Sequence, residues 1–136
     1  MEDTKENALV DAPMYNSRII DNYIKLLSFK YPWVNANEIL RYAGMTSYEV
    51  ADQGHWFSQR QINRFHEKLS QLTHNDNISR EAGRYSASPD ALGAMRQYVL
   101  GMIGPEKVFE IVGKTASKFT KSCEYRSKRL GPNKYE

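Results

Sequence analysis

The sequence predicts a mainly α domain of five to six helices packed in a bundle-like layer and ending in one or two short C-terminal β-strands. Three observations predict it. Helix-start signals recur at Asn35, Ser58, Ser88 and Gly104. Each is followed by apolar residues spaced by threes and fours. After Thr120 that spacing gives way to "CEYRSKRLGPNKYE", where a Gly131-Pro132-Asn133 turn is flanked by residues that alternate across a sheet.

The elements follow in order. The acidic, polar N-terminus, residues 1–14, reads as a flexible tail, and residues 15–136 as a single domain. Asn16 or Ser17 caps a helix whose buried stripe is Ile20, Tyr23, Ile24, Leu27 and Tyr31, ended by Pro32. Asn35, with Glu38 three positions on, opens a short helix carrying Ile39, Leu40 and Ala43, and Gly44 is the natural residue past its end. A further short turn, "TSYEVAD", starts at Thr46 or Ser47 and stops at Gly54. Within "DQGHWFSQRQINRF", Ser58 and Gln61 spell a capping box, while Phe57 and Ile62 occupy the two positions of a hydrophobic staple. The helix they start buries Ile62, Phe65, Leu69 and Leu72.

Asn77 or a neighbour opens "ISREAGRYSA", a helix made short or loose by Gly83. Ser88-Pro89-Asp90 starts a helix to about Ile103, with Leu92, Met95, Val99 and Met102 on its apolar face and Tyr98 beside them. The last helix begins at Gly104-Pro105-Glu106 and buries Val108, Ile111, Val112, Thr115 and Phe119. The hairpin that follows is incomplete at Glu136, and a lone hairpin is marginal in water. The expectation is an N-terminal piece of a longer protein, or strands that pair elsewhere.

Composition narrows the function. The chain has 136 residues, 40% hydrophobic and 26% charged, the balance of one domain with one core. "MEDTKENALVDAP" is acidic where a secretory signal is basic and then apolar, and no apolar run approaches the ~18 residues of a membrane span. A cytoplasmic location is expected. Cys123 is the only cysteine, which excludes an internal disulfide and a cysteine-based zinc site within one chain. It reads as an inert strand residue rather than a nucleophile. The net charge of +3 is placed unevenly: Lys114, Lys118, Lys121, Arg126, Lys128, Arg129 and Lys134 face only Glu124 and Glu136.

The common catalytic signatures are missing: G-x-S-x-G, the P-loop, H-E-x-x-H and G-x-G-x-x-G. Catalysis is not expected of this segment. Among the histidines, His74 lies in a polar loop, His55 either caps a backbone carbonyl or reaches a ligand, and His66 sits beside an apolar stripe as a core-edge residue or a ligand. Gly83 would let a backbone or ligand approach Arg84 and Tyr85. Arg84 then either meets an anion bidentately or bridges to Glu81 or Glu49. The candidate ligand groove is bordered by His55, Trp56, Phe65, His66, Arg84, Tyr85, Arg96 and Tyr98. The alternative is a DNA-binding pair from Glu38 to Gln53 with the basic tail, although Glu49 and Asp52 on its second helix would repel phosphates.

Several phrases together resemble a known family. "YNSRIIDNYIKLL", "GHWFSQRQINRFHEKL", "REAGRYSAS", "LGAMRQYVLGMIGPEKVFE" and "RSKRLGPNKYE" look like the N-terminal input module of bacterial signalling proteins, upstream of PAS, histidine-kinase or diguanylate-cyclase domains. More distantly, Gly83-Arg84, Leu100-Gly101, Gly104-Pro105 and the strand after Thr120 are similar to the superfamily of vinyl-reductase-type ligand-binding domains, haem nitric-oxide-binding domains and vesicle-tethering subunits. The resemblance implies helices against a small antiparallel sheet that is truncated here, an apolar ligand pocket and frequent dimerisation. The vinyl-reductase-type metal cysteines are absent, so no metal is carried over. No motif places the haem family's iron-ligating histidine on His66, so the cofactor stays unassigned. The resemblance thus implies a non-catalytic sensory module that binds a small apolar or amphipathic ligand or a partner and relays to a C-terminal output domain. A homodimer is expected through the first helix, because Ile19, Leu26 and Phe29 fall off its buried stripe and would form an exposed patch.

Overall fold

The computed structural model describes residues 2–86, 88, 105–124, 126, 128–132 and 134–135, which are mainly helical with short strands. The elements are α1 (Glu2–Asp11), β1 (Pro13–Asn16), α2 (Ser17–Lys30), α3 (Ala36–Ala43), α4 (Ser47–Ala51), β2 (Trp56–Ser58), α5 (Gln59–Thr73), α6 (Ile78–Ser86), α7 (Pro105–Thr115), β3 (Arg129–Gly131) and β4 (Lys134–Tyr135). The helix read from Ser88 to Ile103, with Leu92, Met95, Val99 and Met102, lies outside the described residues, as do Arg96, Tyr98 and the side chains of Val108 and Val112.

Local capping places the helix starts. Asn16 accepts from the Arg18 N–H, Asn35 from that of Asn37, and Thr46 and Ser58 each complete a capping box, with Glu49 and Gln61 respectively. Phe57 and Ile62 are both buried, as the staple requires. Gln61 also donates to the Gly44 carbonyl at 2.9 Å, so the start of α5 holds the end of α3. Gly44 ends α3 at φ +70°, a conformation that favours glycine.

The core gathers Ile20, Tyr23, Leu26 and Leu27 of α2, Ile39 and Leu40 of α3, Val50 of α4, Phe57, Phe65 and Leu69, and Ile78 and Ala82 of α6. Each large apolar side chain so buried contributes about 1.5–3 kcal/mol. Helix α3 packs on α5, while α4 and α6 both pack on α2. That double packing widens the buried face of α2, so Leu26 is only 2% exposed and Ile24 sits at the edge of the core. The apolar patch expected of Ile19, Leu26 and Phe29 is therefore not formed: Ile19 packs against the core and Phe29 alone is exposed.

Three further readings are corrected. The segment read as a loose tail forms α1 and the first half of β1. Helix α1 has no buried stripe; it is favoured by strong helix formers and by acids at its N-terminal end. It is tied to α5 by Asp11, whose two carboxylate oxygens accept from Arg60 at 2.8 and 3.4 Å. Cys123 lies exposed outside any strand, and the hairpin forms further on, between β3 and β4. Ile111 and Phe119 are exposed rather than buried, although the Arg18 guanidinium lies over the Phe119 ring.

Strand β1 was not legible as a strand. It pairs antiparallel with β2, Tyr15 opposite Phe57 and Asn16 opposite Trp56. Its other side meets the chain after α7: Asn16 donates its N–H to the Phe119 carbonyl, Lys121 donates to the Met14 carbonyl, both at 2.8 Å, and Tyr15 bridges Thr120. Asn16 and Ser17, 3% and 0% exposed, then bind the loop before β2. Asn16 Nδ2 donates to the Gln53 carbonyl at 2.9 Å, the Ser17 N–H donates to the His55 carbonyl at 2.9 Å, and the Ser17 hydroxyl donates to the Asp52 carbonyl.

Asn16→Ala removes both a cap acceptor and a buried donor and is expected to lose about 2 kcal/mol or more. Asn16→Ser restores only the cap and should fall between. Urea unfolding of the two variants measures this, and an Asn16→Ala loss below ~0.5 kcal/mol would exclude a stabilising role for the buried hydrogen bonds of Asn16.

Candidate functional site

Helices α2 and α6 touch where Asn22 Nδ2 donates to the Ala82 carbonyl at 3.0 Å. Beside that contact they part. The face of α6 turned to α2 carries Ser79, Ala82, Gly83 and Ser86, spaced as one helical face and all small, so little side-chain volume fills the space. What remains is a cavity of about 580 Å³, lined on the α2 side by Arg18, Ile19, Asn22 and Tyr23 and closed by Gln53 and Phe119. A Cβ built on Gly83 would meet nothing within 4 Å. The size is within the usual range of ligand pockets, about 300–1,000 Å³.

The lining is amphipathic. Ile19, Ala82 and Phe119 supply apolar surface. Arg18 lies over the Phe119 ring, 5.8 Å from its centroid, and donates to the Gln53 side chain at 3.4 Å. At the rim Lys25 pairs with Asp21 at 2.9 Å. Behind the cavity, Ser79 Oγ lies 3.4 Å from His66 Nδ1, and the His66 ring stands edge-on to Tyr23 with centroids 5.2 Å apart. Burial lowers the His66 pKa, and burial raises that of Tyr23 against the pull of its hydrogen bond with Ser79. Both groups are held neutral.

Of the expected groove residues, the six that lie among the described residues are not gathered into one place. Phe65 is fully buried, edge-on to Tyr23 at 5.5 Å, and is a core residue. His66 borders the cavity only through Tyr23 and Ser79. His55 and Trp56 are at the β2 end: His55 Nε2 lies 3.2 Å from Glu49 Oε2 and its ring meets Phe57, while the half-buried Trp56 carries Lys121 at 4.5 Å above its ring. Arg84 and Tyr85 are on the opposite face of α6, lining a second cavity. The bridges considered for Arg84 are not made, since Glu81 is bound by Lys30, Tyr31 and Asn75, and Glu49 by Thr46 and His55. Nor does Gly83 admit a close neighbour; it leaves open space.

Sequence reasoning missed Arg18, Asn22, Ser79 and Phe119. The spacing of Ser79, Ala82, Gly83 and Ser86 was the available signal, because a run of small residues on one helical face marks either a tight crossing or a gap. Compared with known proteins, the chain matches no family model, no curated protein and no solved structure. Among the described residues no group of His, Cys, Asp and Glu could hold a metal ion, and no helix is long and apolar enough to cross a membrane.

Because the folded state lowers the His66 pKa, the unfolded chain binds more protons just below the ordinary imidazole value of about 6.5. Stability is therefore expected to fall as pH drops from 7 toward 5.5, ahead of the loss caused by protonating Glu81. The carboxyl of Glu81 is raised by burial but held below its usual range by hydrogen bonds from Lys30, Tyr31 and Asn75. Urea midpoints across that range should decline less steeply in His66→Gln, and an unchanged slope would remove His66 as the cause.

Proposed function

We propose that this chain is a non-catalytic sensory module that takes a small amphipathic ligand into the cavity between α2 and α6 and relays its occupancy to an output domain C-terminal to it in a cytoplasmic signalling protein. The observation that carries the reading is that one wall of the cavity is Phe119. Its carbonyl accepts from Asn16, and the two residues after it run along β1. A ligand pressing on that ring acts on the segment through which the chain leaves the helical layer. The resemblance of the quoted sequence phrases to signalling input modules supports the same reading.

The chemistry of the site favours binding over catalysis. Ser79 and His66 form a hydroxyl–imidazole pair beside the cavity. At 3.4 Å they are farther apart than the 2.6–3.2 Å of a working pair, and no described carboxylate orients the ring. Duplex DNA is the weaker alternative. Helix α4 has only 5 residues, and its acid Glu49 is engaged by Thr46 and His55.

Gly83 gives a clean test. Gly83→Ala should stabilise the chain by about 0.5–1 kcal/mol, since it removes a helix-interior glycine at a place with room for a methyl group. Gly83→Leu should fill the cavity. With Trp33→Phe as background, Trp56 is the only remaining tryptophan, and its contact with Lys121 makes its emission a reporter. Medium-chain alkyl amines, alcohols and carboxylates are the probes. A hit is expected to shift Trp56 emission in the background chain and to lose affinity more than tenfold with Gly83→Leu. Binding that survives Gly83→Leu unchanged would place the ligand elsewhere, and tight, salt-sensitive retention of duplex DNA would favour the alternative.

A further inference from the structure

The opposite face of α6 carries a second cavity, of about 490 Å³, between α6 and the C-terminal half of α2. Its ionic groups are unequally committed. Glu81 is held by Lys30, Tyr31 and Asn75, with the Tyr31 hydroxyl donating at 2.7 Å and Asn75 at 2.9 Å. That leaves Arg80 and Arg84, both exposed and without an ion-pair or hydrogen-bond partner among the described residues. They stand four apart on one helix, where like charges are neighbours and disfavour the helix by about 0.2–0.5 kcal/mol. An anion shared between them would reverse that repulsion.

The cavity also has an aromatic wall. Phe29 and Tyr85 stack with centroids 5.9 Å apart and an interplanar angle of 30°. Tyr85 covers one face of the Phe29 ring, and Phe29 is nonetheless 63% exposed. An exposed aromatic ring beside two uncommitted guanidiniums offers a stacking surface and an anion clamp in one pocket. The geometry points to a second binding site on this face of α6, for a small ligand that joins a planar aromatic ring to a phosphate: the ring lies against Phe29 and Tyr85, and Arg80 and Arg84 hold the phosphate. Guanidinium forks match phosphate oxygens in pairs, which favours phosphate over a lone carboxylate. The fixed negative charge of Glu81 keeps the anion at the arginine end.

The site is independent of the cavity between Gly83 and Phe119, and the test keeps the two apart. Adenosine 5′-monophosphate, adenosine and inorganic phosphate are titrated into the full chain by calorimetry. The monophosphate is expected to bind at least tenfold more tightly than either part. Arg80→Ala and Arg84→Ala should each weaken the monophosphate at least fivefold and leave adenosine unchanged. Phe29→Ala should weaken both ring-bearing probes and spare phosphate. All three side chains are exposed, so unchanged far-UV circular dichroism is expected of the variants, and Gly83→Leu should leave the monophosphate affinity as it was. No binding of the monophosphate, binding indifferent to Arg84→Ala, or a single-stranded oligonucleotide held more than tenfold more tightly than the monophosphate would overturn the proposal.

Discussion

The fold depends on a buried polar knot at Asn16 and Ser17. Two adjacent residues, almost without solvent exposure, serve four segments: they cap α2, continue β1, bind the carbonyls of the loop from Asp52 to His55, and donate to the Phe119 carbonyl. A polar group buried without a partner is penalised by roughly 1–3 kcal/mol, so these positions tolerate only an arrangement in which every bond is made. That requirement makes the knot a specifier rather than a mere fastener. Helices packed on apolar faces can slide or rotate at modest expense, whereas the loop carbonyls of Asp52, Gln53 and His55 meet donors in one register only. The placement of β2, and with it the start of α5, follows from that register.

Helix α6 shows how the remaining freedom is used. Ile78 and Ala82 anchor it to the core, and Glu81 fastens it to the end of α2 and to Asn75. Tyr85 packs against the edge of the core and Ser79 meets His66, whereas three other positions do little for stability. Gly83 lowers helix stability, and Arg80 and Arg84 repel one another. A helix shaped for stability alone would replace the glycine with alanine and alternate its charges. The departures fall on the two flanks that line cavities, where local rules are expected to yield to binding.

Capping was legible in the sequence because it is local. Asn35, Ser58 with Gln61, and Gly44 each act within one turn, and their residue types state the geometry; the start at Thr46 was narrowed only to Thr46 or Ser47. The apolar stripe of α5 was legible for the same reason. What failed was whatever distant segments decide. Leu26 looked off-stripe because one helix in isolation buries one face, and α2 is covered from two sides by α4 and α6. Pro13–Asn16 is too short to show alternation and becomes a strand only because β2 and the segment after Phe119 flank it. The candidate groove depended on distant segments likewise: Trp56, Arg84 and Phe65 were grouped by chemical type, and the fold sends them to an edge, a second cavity and the core. A cavity is made by residues that do not fill space, and the small-residue spacing of Ser79, Ala82, Gly83 and Ser86 marks a tight crossing as readily as a gap.

Phe119 joins these points into one mechanical argument. Its ring walls the cavity and lies under the Arg18 guanidinium, while its carbonyl belongs to the polar knot. The ring is 40% exposed, but the backbone behind it is bonded to a residue that is itself held by further hydrogen bonds. Displacement of the ring therefore cannot be absorbed by shifting Asn16, because α2 and the loop before β2 would have to shift with it. The segment after Phe119 holds β1 by one backbone hydrogen bond from Lys121 and the Tyr15–Thr120 bridge, with Lys121 over the Trp56 ring, and is bonded back to Ala116 through the Thr120 N–H. On the proposed reading, a push from the cavity reaches the segment after Phe119 more readily than it reaches the knot.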